Sequence, residues 1–147
     1  MKNIITLLAL IAGFTASAQY AKTYKYNDYK QGWALVKTSS GTYGFIDKDG
    51  KQVVAPIYDK IDKFDKLHKG WALVKNVSDG YGFLDTSGKE VVPAIYSKIY
   101  KFGEHGENLA LVQSTAGKYG FIDHNGKEVV TATYDDVPTA KNAALSK

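Results

Sequence analysis

A five-residue motif that returns at a fixed distance constrains this chain more than any other feature. Tyr43-Gly44-Phe45-Ile46-Asp47 recurs as Tyr81-Gly82-Phe83-Leu84-Asp85 and as Tyr119-Gly120-Phe121-Ile122-Asp123, each step being 38 residues. The same step carries Trp33-Ala34-Leu35-Val36 to Trp71-Ala72-Leu73-Val74 and on to Leu109-Ala110-Leu111-Val112. Gly50-Lys51, Gly88-Lys89 and Gly126-Lys127 keep it too, with no insertion in the array. A sustained period of this length means stacked units, each too small to bury its own apolar face, so that the core must form between neighbours. Registers 20–57, 58–95 and 96–133, with a partial 134–137, make one repeat domain over residues 19–137.

Within a unit, Trp33 to Lys37, Thr42 to Asp47 and Lys51 to Ala55 are short runs rich in aromatic and β-branched residues. Polar, glycine-containing links separate them, which predicts strands joined by hairpins. Ile57 to Phe64 is expected to be a fourth extended piece, bent or at a sheet edge because Pro56 or Pro93 lies beside it. In the links D-K-D-G, D-T-S-G and D-H-N-G, Asp47, Asp85 and Asp123 read as turn formers, with glycine where φ is positive. Gly44, Gly82 and Gly120 fall inside strands, where glycine costs stability unless a neighbour needs the space; the Trp33 and Trp71 rings are the expected neighbours. Trp33, Gly44, Phe45, Trp71, Gly82, Phe83, Gly120 and Phe121 are therefore assigned to the repeat core. No window predicts a helix, and residues 138–147 carry no pattern and are expected to fray. The fold class is all-β: three tandem repeats of short antiparallel strands in an open or curved stack. Closed propellers use about 4 to 8 blades, so three units reach a propeller-like ring only by oligomerising.

The unit, with Gly-Trp-Ala-Leu-Val from Gly32 and Gly70, Tyr-Gly-Phe-Ile-Asp-x-x-Gly-Lys at its centre and Val-Val-x-x-x-Tyr-Asp-x-Ile at its end, resembles the bacterial WG-repeat family over residues 20 to 137. The third unit departs from it with Asn108-Leu109 in place of Gly-Trp. The resemblance implies a repeat protein used as a binding or scaffolding module, and it offers no catalytic residues to carry over. The Tyr-x-Phe-x-Asp-x-x-Gly-Lys hairpin is also similar to the shorter hairpins of choline- and glucan-binding cell-wall repeats, which hold their ligand between successive aromatic hairpins.

The N-terminus predicts export. Lys2, the apolar run Ile4 to Phe14 and the small residues Ala16-Ser17-Ala18 form a signal-peptide pattern over residues 1–18. The run is shorter than the about 20 apolar residues a membrane span needs, so the mature chain is expected to be secreted or periplasmic, with no stable membrane insertion. The absence of cysteine leaves stability to packing alone. All 19 basic residues are lysines, and without the bidentate guanidinium fork a nucleic-acid partner is not expected.

Positions that recur at every unit are most simply packing positions; those that break the repeat are where a partner can be accommodated. Tyr24, Tyr29, Tyr100, Glu104 and His105 break it, and Tyr100 is singled out because it stands where the preceding unit has Asp62. Lys60 and Lys98 belong to a lysine ladder with Lys22 that either lines an anionic groove or, as favoured here, guards strand edges. His68, His105 and His124 fall at three unrelated phases, so no metal-ligand spacing is formed and neither a metal site nor a cofactor is expected. Asp47-Lys48-Asp49-Gly50 starts like a calcium loop but lacks the glutamate that would close it. No nucleophile with a matching base stands out, and a carboxylate pair such as Glu104 and Glu107, more simply read as solvated loop charges, is what leaves an envelope hydrolase in view. The expected function is a non-enzymatic exported binding module for an envelope glycan or acidic polymer; the alternative is a protein scaffold using exposed strand edges, alone or as an oligomer.

Overall fold

The computed structural model describes residues 20–147; segment 1–18, expected to be a signal peptide, lies outside them. The chain forms one open ten-stranded antiparallel sheet in which every strand pairs with its neighbours in sequence. A two-residue β1 (Lys22–Thr23) is followed by three units: β2 (Trp33–Lys37), β3 (Tyr43–Asp47) and β4 (Gln52–Ile61); β5 (Trp71–Asn76), β6 (Tyr81–Asp85) and β7 (Glu90–Ile99); β8 (Leu109–Ser114), β9 (Tyr119–Asp123) and β10 (Glu128–Tyr134). The sheet closes into neither a barrel nor a ring, so of the two expected forms it is the open one that is seen.

The runs read separately as Lys51 to Ala55 and Ile57 to Phe64 fuse into the single strand β4. Its first half pairs with β3 of its own unit, Phe45 opposite Val54, and its second half pairs with β5 of the next, Ile61 opposite Val74. Between Val54 and Tyr58 the register slips against β3. Pro56 sits in this irregularity, where a missing N–H is tolerated. The proline thus marks a bulge inside the sheet: of the two expectations at this point, a bend or a sheet edge, the bend is what the strand shows and the edge is corrected.

The bulge also explains the glycine of each Tyr-Gly-Phe. A Cβ on Gly44 would stand 2.4 Å from the Val54 carbonyl oxygen, and one on Gly82 2.3 Å from that of Val92. Gly120 faces Val130 in the same way at 2.4 Å. It is the backbone of the adjoining strand that needs the space, and the expected covering by tryptophan is corrected. The Trp33 ring packs instead on Phe45 and on Phe64 of the next unit, with centroids 5.5 and 6.1 Å apart. Trp71 repeats this with Phe83 and Phe102 at 5.3 and 6.0 Å. Trp33, Phe45, Trp71, Phe83 and Phe121 are buried, as expected. The apolar clusters run across unit boundaries, the first joining Trp33 and Phe45 to Val74 and Leu84.

A second link between units is a row of tyrosine hydroxyls. Tyr58 donates to Glu90 at 2.6 Å, Tyr96 to Glu128 at 3.0 Å and Tyr20 to Gln52 at 3.4 Å. Burial, reinforced by the glutamate acceptor, pushes Tyr58 and Tyr96 well above the ordinary phenol range and keeps both as donors. The turn aspartates act as predicted: Asp47 Oδ1 accepts from the N–H of Asp49 and of Lys51 at 2.9 Å each, and Asp85 and Asp123 repeat the pattern. The departure at Asn108 has a backbone reason. Gly32 and Gly70 have φ of +82°, and Asn108 takes φ 58° at the same point, a left-handed conformation asparagine tolerates better than most residues.

Residues 138–147, expected to fray, belong for the most part to a helix, α1 (Val137–Leu145). Asp136 caps it by accepting from Thr139 N–H at 2.8 Å, and Pro138 lies in the first turn. Ala140 and Ala144, one turn apart, are buried in a cluster with Leu111, Phe121 and Val130. Ala140 is the repeat equivalent of Phe64 and Phe102, and Leu109 that of the tryptophans. A smaller residue at each place lets the helix close over the third unit.

Candidate functional site

The face of the sheet between the first two units carries a groove of about 740 Å3. Tyr24, just past β1, and Tyr29, in the loop before β2, form one side with Tyr43, the first residue of β3. That loop is shaped by Asn27, whose φ of 67° lets its side chain accept from Gly32 N–H at 2.7 Å. Tyr29 then sets its ring edge-on to Phe45 at 5.7 Å. The opposite side is the end of β4, Asp59 to Ile61, continued by Asp62, Lys63 and Lys66 and flanked by Lys75 and Tyr81.

The groove's charges are paired. Asp62 lies 3.3 Å from Lys60 and 3.7 Å from Lys66. Lys75 reaches Asp79 at 2.6 Å and Asp59 at 3.9 Å, and Lys63 crosses to Asp28 of the first unit at 2.8 Å. The Asp28 hydrogen bond raises the pKa of Lys63, and that from Asp79 raises Lys75, so both remain cations at neutral pH. Burial pushes Tyr24 and Tyr29 up, with Tyr43 adding to the first and the Asp28 charge to the second. The site therefore offers half-buried phenol rings and four ammonium groups, with the lining carboxylates Asp59 and Asp62 and, at its margin, Asp28 and Asp79 as their partners.

The residues singled out in the sequence separate into two places. Tyr24, Tyr29 and Lys60 meet in the groove. Lys98, on β7, and Tyr100, Glu104 and His105, which follow it, lie beside the third unit. There Tyr100 packs with Tyr119, Val137 and the alanines of α1, and Lys98 Nζ covers its ring at 4.2 Å. His105 stands edge-on to Tyr100 at 5.2 Å, its Nε2 buried without a hydrogen-bond partner and 3.6 Å from Glu104. The lysine ladder has a local role: Lys22 lies over Tyr24 at 4.4 Å, Lys98 over Tyr100, and Lys60 on Asp62, in each case two residues on. Only Lys22 lies in the edge strand β1, whereas Lys60 and Lys98 are in interior strands, so edge protection is not what the ladder shares.

Sequence reasoning missed Tyr43, Tyr81, Asp62, Lys66 and Lys75, whereas Lys63 belongs to a second lysine ladder, with Lys25 and Lys101, that the repeat already displays. The two tyrosines recur in every unit and so read as packing residues, a role that half of each ring fills. Lys66 could have been found: its repeat equivalents Asp28 and Glu104 are both acidic, so it breaks the repeat in sign.

A family model for a WG containing repeat matches residues 43–76, 81–118 and 119–143. The matched segments begin at the heads of β3, β6 and β9, and the third runs into α1. No curated protein and no solved structure matches the chain.

Proposed function

Because this chain belongs to the WG containing repeat family, we propose that it is a non-enzymatic binding module that takes a glycan in the groove between its first two units. The observation that carries this reading is the groove's composition. Tyrosine faces at half burial give large contact area to the apolar faces of sugar rings at small entropic cost. Donors and acceptors of both charges surround them, which suits hydroxyl groups. Each groove lysine lies within 4 Å of an aspartate. An acidic polymer would have to displace those partners, so an uncharged glycan is the better fit than the anionic one.

Action outside the cytoplasm rests on the charged start, apolar run and Ala-Ser-Ala of residues 1–18. A role without turnover is supported by the pairing of the groove carboxylates with lysines, which leaves no carboxyl group in an apolar setting to serve as an acid. Recognition through a free strand edge has less support at the β1 side, since that edge strand is two residues long and carries a lysine. Titration of the mature chain with purified neutral and acidic envelope glycans tests the reading. Saturable binding to a neutral glycan that Tyr29→Ala weakens is the expected result; binding of acidic polymers alone, or of none of the panel, would overturn it.

A further inference from the structure

His68 and His124 lie 56 positions apart at unrelated phases of the repeat, yet the fold brings their rings together where the second unit meets the third. His68 is in the turn before β5 and stacks on Trp71, with centroids 3.9 Å apart and planes at 24°. His124 is in the turn after β9 and stacks on Phe102 at 4.6 Å and 19°. His68 Nε2 and His124 Nδ1 end 2.9 Å apart. Packing does not call for this pair. At the first junction the equivalent residues are Lys30 and Thr86, and Lys30 covers Trp33 at 4.2 Å as His68 covers Trp71.

We infer that His68 Nε2 and His124 Nδ1 form a two-nitrogen site for a divalent copper, nickel or zinc ion that clips the second unit to the third. Two nitrogens each about 2.0–2.1 Å from one ion lie about 2.9 Å apart at a right angle and about 3.3 Å apart at the tetrahedral angle. The observed separation needs little adjustment for either. The protonation pattern suits a ligand as well. His68 Nδ1 lies 2.8 Å from the Lys69 carbonyl oxygen, which can only accept. That places the ring proton on Nδ1 and leaves the Nε2 lone pair facing His124, the carbonyl-oriented arrangement common behind metal-bound imidazoles. On binding, the His124 proton rests on its Nε2, and the hydrogen bond between the rings gives way to two bonds to the ion. Among the described residues no three His, Cys, Asp or Glu converge as a ligand set. The remaining positions on the ion therefore belong to water or to a donor from another molecule, and copper should bind tightest of the three.

The test is calorimetric titration of the mature chain with copper(II) and zinc(II) at pH 7.5, alongside paramagnetic resonance of the copper form. His124→Thr and His68→Lys serve as variants because each installs the residue the first junction already carries, and His105→Gln is the control. The expected result is one equivalent of copper with two imidazole nitrogens in its spectrum. Affinity falls at least about tenfold in either variant and is unchanged in the control, and copper raises the melting temperature of the parent but not of His124→Thr. Equal affinity in the parent and His124→Thr, or loss in the control, would overturn the site. Should His68→Lys fold poorly, His124→Thr decides alone, since the His124 side chain is exposed.

Discussion

The groove between the first two units and the corresponding place on the third are built from the same positions and end differently. Tyr24, Tyr29 and Tyr43 look across open space at β4 and the paired lysines beyond it. Of their equivalents Tyr100, His105 and Tyr119, the two tyrosines share a cluster with α1, whose Val137 stands where Ile61 and Ile99 stand in the earlier units, and whose Ala140 stands in place of Phe64 and Phe102. The strand frame is shared and both rows are half-buried; the difference is that the third unit's row packs into a cluster that includes α1, whereas the first faces an open groove. An aromatic that departs from a repeat is thus not by itself a ligand position, because the element packed against it matters as much as the departure.

The comparison depends first on the shared frame. Trp71→Ala should cost about 3–5 kcal/mol, since the ring fills the space between Phe83 and Phe102. Leu109→Ala, at the equivalent and less buried position beside the helix, should cost less; equal losses in denaturant unfolding would show that the two ends of the array are packed alike. Gly82→Val should cost about 3 kcal/mol, because the clash is with strand backbone that cannot swing away. A variant as stable as the parent would place the bulge elsewhere. Ala140→Asp should undock α1 at a cost of about 2 kcal/mol while leaving glycan binding at the first groove unchanged; a loss of binding would mean that the two places are not independent. Tyr58→Phe should cost about 1 kcal/mol, the net worth of a hydrogen bond to a charged acceptor at a partly screened site. Glu90→Gln should recover part of it, and a double variant that simply adds the two losses would show that the pair is not coupled.

Most of the frame could be read in the residues. The 38-residue step gave the units, short runs of aromatic and β-branched residues gave the strands, and the Asp-x-x-Gly links gave the turns with their aspartate acceptors. What escaped was whatever depends on contacts between units. The bulge that fuses two runs into β4 is a matter of register between strands. Helix α1 is nine residues of mainly small side chains, stabilised by Asp136 and by docking rather than by intrinsic propensity. The two places occupied by Tyr24 and Tyr100 look alike in sequence because the helix that distinguishes them has no counterpart in the repeat. The meeting of His68 with His124 is likewise invisible at unrelated phases, since it needs two turns from different units to arrive at the same point.

Paired measurement of binding and melting for Tyr29→Ala and Tyr100→Ala tests the central claim most directly, that one aromatic row is an open binding surface and its equivalent is held by α1. The account predicts that Tyr29→Ala weakens glycan binding at least about tenfold, or 1.4 kcal/mol, with the smaller loss of melting temperature. Tyr100→Ala should lower the melting temperature and leave binding as it is in the parent. The reverse assignment, or the same effect of both substitutions on both readouts, would contradict it.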